Sequence, residues 1–127
     1  MPKEPKHQSP EFSAIFARLR SILAKYAPPL KVTADREDYY CLTIPYSPKF
    51  KKSFPVAWVK KSKSYVSYHF MPIYFAPVLQ KELPKRLKGR MQGKSCFNFR
   101  EIDEQLFEEL AKITAKGFAV SHESDVF

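Results

Sequence analysis

From Phe12 onward the apolar residues Phe12, Ile15, Phe16, Leu19, Ile22, Leu23 and Tyr26 recur at spacings of three and four. That spacing puts all seven on one face of a helix. Ser9 as N-cap, Pro10 at the first helical position and Glu11 near the positive end of the dipole mark its start. Pro28 and Pro29 stop it, because neither can donate an intrahelical bond. The same spacing returns late in the chain, where Leu106, Phe107, Leu110 and Ile113 point inward. Asp103 is the N-cap there, Glu104, Glu108 and Glu109 lie toward the start, Lys112 and Lys116 lie late, and Gly117 is expected at C′.

Between these helices the pattern shortens. Tyr39–Pro45 is aromatic and β-branched, residues 48–53 form a basic loop, and Phe54–Lys60 and Tyr65–Ile73 flank the turn-like KSKS of Lys61–Ser64. The pair predicts an antiparallel hairpin, and with no glycine in the turn a loop of about four or five residues is expected. Pro77, Val78, Leu79 and Leu83 predict a short helix interrupted by Pro84, followed by the basic turn KRLKGRMQGK and a strand at Ser95–Phe99. The order implies an α+β domain, with a mostly antiparallel sheet of about four or five strands packed against the N-terminal and C-terminal helices. The expected organisation is a disordered lead-in over 1–9, one domain over 10–118 and a tail over 119–127.

Alternation along the aromatic strand sends Val66, Tyr68 and Phe70 to one side, and Tyr65, Ser67, His69 and Met71 to the other. The first set is core. The second is neither cleanly polar nor cleanly apolar, and Val56 with Trp58 opposes Ala57 with Val59 on the preceding strand. Both faces of the hairpin are therefore expected to be at least partly covered. Two readings of Tyr65, His69 and Met71 stay open. They form either a second packing surface or the wall of a binding site beside Lys60, Lys61 and Lys63.

Charge sharpens the second reading. Net charge is +9, and residues 49–100 carry 13 Lys or Arg against the single acid Glu82. One segment thus holds the whole excess and would attract phosphates, nucleic acid or acidic partners, although lysines also protect sheet edges. A chain of 127 residues can bury roughly two-thirds of its unfolded surface without staples. Cys41 and Cys96 lie outside any CxxC or Cys/His metal spacing, and free thiols in a reducing cytosol are expected. The opening MPKEPKHQSP has no apolar core, and no window is apolar enough for a membrane span, so a cytoplasmic protein with no membrane partner is expected.

Mechanistic motifs for dinucleotides, NTP, zinc proteolysis and serine hydrolysis do not occur. His69 is the one histidine outside the expected tails, and with Cys96 it could form a thiolate pair if both faced one pocket. Glu101, Asp103, Glu104, Glu108 and Glu109 could attract a hard cation, but a helix start accounts for them by capping and dipole. KGRMQGK combines two glycines with three cations, and could seat an anion on free backbone donors beside Lys88, Arg90 and Lys94.

The stretches MQGKSCFNFREIDEQLFEELAKITAKGF and YVSYHFMPIY resemble the YdhG-like family, a family of domains of unknown function. In that family an amphipathic N-terminal helix, an antiparallel sheet, a K-S/G-x-x-x-F strand and a closing helix follow in this order. The resemblance runs over residues 10 to 118, with Met91–Phe99 its most specific part, and implies a small α+β fold. Some relatives are described as frataxin-like intracellular iron chaperones, which implies iron handling on clustered oxygen ligands. This chain departs from that charge pattern: its first helix sets Glu11 against Arg18, Arg20 and Lys25, leaving Glu101–Glu109 as the place for iron.

The expectation is a non-catalytic binding domain for a small anionic ligand or acidic protein, a monomer or homodimer, with no cofactor and no metal. Its site joins Lys60, Tyr65, His69, Arg90 and Lys94. The alternatives are a frataxin-like iron-binding chaperone and single-stranded nucleic-acid binding.

Overall fold

The computed structural model describes residues 10–27, 30–47, 51–93 and 95–124. Ser9, Pro28, Pro29 and Lys94 lie outside the described residues, as do the lead-in 1–9 and residues 125–127. The elements are α1 (Pro10–Ala24), β1 (Lys31–Arg36), β2 (Tyr39–Ser47), β3 (Lys52–Lys61) and β4 (Val66–Phe70). Then come α2 (Met71–Phe75), α3 (Pro77–Lys81), α4 (Lys85–Lys88), β5 (Met91–Gln92), β6 (Cys96–Phe99) and α5 (Glu104–Ser124). The six strands form one sheet in the order β1-β2-β3-β4-β6-β5, with every neighbouring pair antiparallel. This is an α+β fold, with slightly more strands than the pattern predicts.

The helices form a layer on one side of this sheet. Phe12, Ile15, Phe16, Leu19, Ile22 and Leu23 of α1, with Leu106, Phe107, Leu110 and Ile113 of α5, join one core with Val59, Val66, Tyr68, Phe70, Phe97 and Phe99 from the strands. Aromatic edges lock this core: Phe99 meets Phe107 at 5.4 Å between ring centroids, and Phe70 meets Phe118 at 5.2 Å, both near perpendicular. Inside it the Thr114 hydroxyl donates to the Leu110 carbonyl at 2.8 Å. Its single proton is thereby used, so the Tyr68 hydroxyl, 2.6 Å away and fully buried, donates to Thr114. Burial holds the Tyr68 phenol well above its ordinary range.

Caps and turns follow the sequence signals in part. Asp103 caps α5, its carboxylate accepting from the Leu106 amide at 3.1 Å, and that bond with the Arg86 guanidinium at 2.5 Å keeps the carboxyl below its usual range. Lys61 pairs with Val66 around a loop of four residues, closed by the Ser62 amide and hydroxyl on the Tyr65 carbonyl at 2.9 and 2.8 Å. Arg20 of α1 holds Asp35 of β1 through two bonds of 2.8 and 3.1 Å, lies over the Tyr40 ring, and lowers the Asp35 carboxyl.

Three expectations are corrected. The strand Tyr65–Ile73 ends at Phe70, because Pro72 has no amide to give the ladder and instead occupies the first turn of α2. Met71 therefore leaves the face of Tyr65 and His69. The basic turn contains a helical turn, α4, and a two-residue strand, β5. Gly117 is not a C′ residue: α5 runs through it to Ser124, so 119–124, expected in the tail, is helical. A Cβ at Gly117 would lie 2.4 Å from Phe70 Cε2, so the glycine is there to let α5 rest on that ring. The second face of the hairpin is partly covered, as expected: Cys41 and Ser67 are buried, and Trp58 and His69 are half-buried.

Candidate functional site

The face of the sheet turned away from the helices is built in rows, since partners across antiparallel strands point to the same side. One row runs Arg36, Tyr39, Lys60, Ser67, Asn98 from β1 to β6. The next runs Cys41, Trp58, His69, Cys96, Gln92 from β2 to β5. Val66, Tyr68 and Phe70 are fully buried, whereas Tyr65 and His69 between and beside them are only partly so. Pairing register thus carries the expected alternation from 66 to 70, although Ser67 of the outer set is itself buried.

At the β5 end of this face lies a half-open groove of about 420 Å³, lined by Tyr65, Arg90, Met91, Gln92, Asn98 and Arg100 with Gly89. Arg100 is steadied by its Nε donating to the Ser64 carbonyl at 3.2 Å. Asn98 donates through Nδ2 to Gln92 Oε1 at 2.5 Å, so the two amides stand together. Two guanidinium groups, two amides and a phenol ring converge here without a carboxylate in the lining. Such a set binds a phosphate or carboxylate by charge-assisted hydrogen bonds, and Arg does so bidentately.

Of the expected site residues, Tyr65 and Arg90 share this groove. Lys60 and His69 stand beside it on the same face, close enough that Lys60 contributes to the lowering of the His69 pKa. Lys94 lies outside the described residues. Lys88 sits on α4 rather than in the groove lining. Two of the expected backbone donors of the glycine loop are taken: the Gly89 amide donates to Lys85 and the Arg90 amide to Leu87, at 3.1 and 2.9 Å. Asn98, Arg100 and Gln92 were not among the expected site residues, although alternation along Cys96–Arg100 places Asn98 and Arg100 on one side together.

Next to the groove is a second arrangement. The Trp58 and His69 rings stack at 4.6 Å with planes 14° apart, and both are half-buried. Cys96 Sγ lies 3.4 Å from His69 Nε2 and 3.5 Å from Asn98 Oδ1. With the thiol proton on Asn98, His69 Nε2 carries hydrogen and donates to sulfur. Burial pushes the His69 imidazolium toward losing its proton, reinforced by Lys60, and burial pushes the Cys96 thiol up. The pair rests as neutral thiol and neutral imidazole. Cys41 and Cys96 are both free; Cys41 is buried and Cys96 half-buried.

Two of the carboxylates to which the iron reading points have other partners: Asp103 caps α5 and pairs with Arg86, and Glu104 pairs with Arg18 of α1, whereas Glu109 Oε1 is buried without a hydrogen-bond partner. Among the described residues no three His, Cys, Asp or Glu side chains gather where they could hold a metal ion. No described helix is long and apolar enough to cross a membrane. No family model, no curated protein and no solved structure matches this chain.

Proposed function

We propose that this protein is a non-catalytic binding domain that takes a phosphate-bearing ligand in the groove of Tyr65, Arg90, Gln92, Asn98 and Arg100. The observation that carries the proposal is the convergence of two guanidinium groups and two amides on one open face, within the segment that holds the chain's entire cationic excess. Trp58, His69 and Lys60 extend the same face and supply an apolar wall and a further cation. A thermal-shift panel of phosphate, pyrophosphate, nucleotides and dicarboxylates tests it. A ligand at about 100 times its Kd stabilises by about 2.7 kcal/mol. A panel in which no anion raises the melting temperature removes the proposal.

A second reading, thiol chemistry at Cys96, is favoured by the 3.4 Å contact with His69 on one face. An activated nucleophile needs a thiolate near neutral pH, whereas burial raises this thiol from its ordinary value of 9.0. Alkylation of Cys96 by iodoacetamide is therefore expected to rise steadily with pH to beyond 9.0, without an inflection near neutrality, and to precede that of Cys41. A plateau of fast alkylation between about pH 6 and 8 would establish an ion pair instead and favour the catalytic reading.

A further inference from the structure

We infer that the ligand of this face is single-stranded nucleic acid, laid across the strands from the β1 edge to the groove at β5. The inference rests on the anion-binding reading above and names its ligand class. Three observations carry it. The first is extent: Arg36 on β1, Lys60 on β3, and Arg90 and Arg100 at the β5 and β6 end occupy one end of the same face. At about 4.8 Å per strand the six-stranded order spans roughly 24 Å from β1 to β5. That is too long for one small anion and suits a chain of phosphates, the smallest single-strand sites covering about four nucleotides.

The second observation is interleaving. Tyr39 stands between Arg36 and Lys60 in its row, with the Arg36 guanidinium over one face of its ring at 5.2 Å, and Tyr65 stands in the groove with Arg90 and Arg100. Rings alternating with cations are what a strand of stacked bases and phosphates needs, since every base has a face to stack and every linkage a charge. Trp58 and His69 use a face each on one another, so Tyr65 is the stacking residue of the groove. The third is hydrogen-bonding capacity. With its Oε1 accepting from Asn98, Gln92 keeps its own amide N–H groups for the edge of a base. An acidic protein segment would match the cations, but would leave these amides and Tyr65 without a counterpart.

The charges on this face are not all cationic. Arg36 is within 3.6 Å of Asp38, an exposed pair that phosphate can compete for.

Fluorescence anisotropy with labelled eight-nucleotide oligouridylate and oligothymidylate tests the inference. Inorganic polyphosphate, a glutamate-rich peptide and a duplex of equal length serve as competitors. Four phosphate contacts give a salt slope near −2.8, so affinity should fall about 50-fold between about 50 and 200 mM salt. Tyr65→Ala should weaken oligonucleotide binding about 10-fold while leaving polyphosphate binding unchanged, and Tyr65→Phe should bind as the parent does. The two oligonucleotides distinguish RNA from DNA as the source of the strand. If polyphosphate binds and Tyr65→Ala leaves the oligonucleotide affinity unaltered, bases are not read and the nucleic-acid inference falls while the anion reading stands. Equal competition by duplex, or capture of the acidic peptide in preference to the oligonucleotides, overturns it as well. Absence of binding by every anion overturns both.

Discussion

Gly117→Ala is expected to lower the stability of the fold by about 1–3 kcal/mol, although in an ordinary helix interior the same change stabilises by about 1 kcal/mol. The sign is decided by space. A Cβ would stand 2.4 and 2.6 Å from Phe70 Cε2 and Cζ, and 3.3 Å from Pro72 Cβ. Phe70 has no room to retreat, being fully buried with Phe118 edge-on at 5.2 Å. Either α5 lifts from the sheet or the ring leaves its rotamer. Urea unfolding measures the loss, and the background Phe70→Leu separates the causes. In that background the extra methyl should cost much less, since the atoms it strikes are gone. A Gly117→Ala protein as stable as the parent would mean that α5 does not sit on Phe70 as described.

Replacing Arg90 and Arg100 together by alanine is expected to abolish the thermal shift given by phosphate-bearing ligands, each single change weakening binding about 10- to 100-fold. Charge-assisted hydrogen bonds of the guanidinium groups account for that size, and the other lining residues Asn98 and Gln92 supply only neutral ones. Arg100→Ala also frees the Ser64 carbonyl, which is exposed and can turn to water, so the fold should tolerate it. Lys112→Ala on the exposed side of α5 removes an equal charge away from the groove and serves as the control. If that control matches the double variant, attraction is a property of net charge and the groove has no special role.

Much of this architecture was legible in the chain, and for stated reasons. Six of seven apolar residues at helical spacing fall on α1, Tyr26 lying in the turn after it; Asp103 announced the start of α5, and alternation separated Val66, Tyr68 and Phe70 from His69. β1 was not legible. KVTADR shows no apolar alternation because it is an edge strand with almost every side chain exposed. β5 spans two residues and leaves no period to detect. Gly117 misled because a glycine closing a helical pattern signals a cap as readily as a close approach, and only Phe70 across the core distinguishes the two. Pro72 was readable as a strand breaker, yet an apolar run on both sides of it hid the change to α2.

The candidate site divides along the same line. Tyr65 and Arg90 could be named from local pattern and charge, since each lies in a segment whose composition is unusual. Their meeting with Asn98, Arg100 and Gln92 depends on β4 pairing with β6 across the connection through α2, α3 and α4, and on β5 folding back on β6. The contact between His69 and Cys96 spans 27 positions and arises from that same pairing. Residues this far apart become neighbours through register, which alternation within single strands does not encode.

The most direct measurement is a titration of isotope-labelled protein with pyrophosphate, followed through backbone amide and arginine side-chain resonances. The account predicts shifts at Tyr65, Gly89, Arg90, Gln92, Asn98 and Arg100, fading toward Trp58 and Lys60 and absent from α1 and α5. Shifts centred on the helix layer, or none at concentrations where phosphate compounds raise the melting temperature, would contradict it.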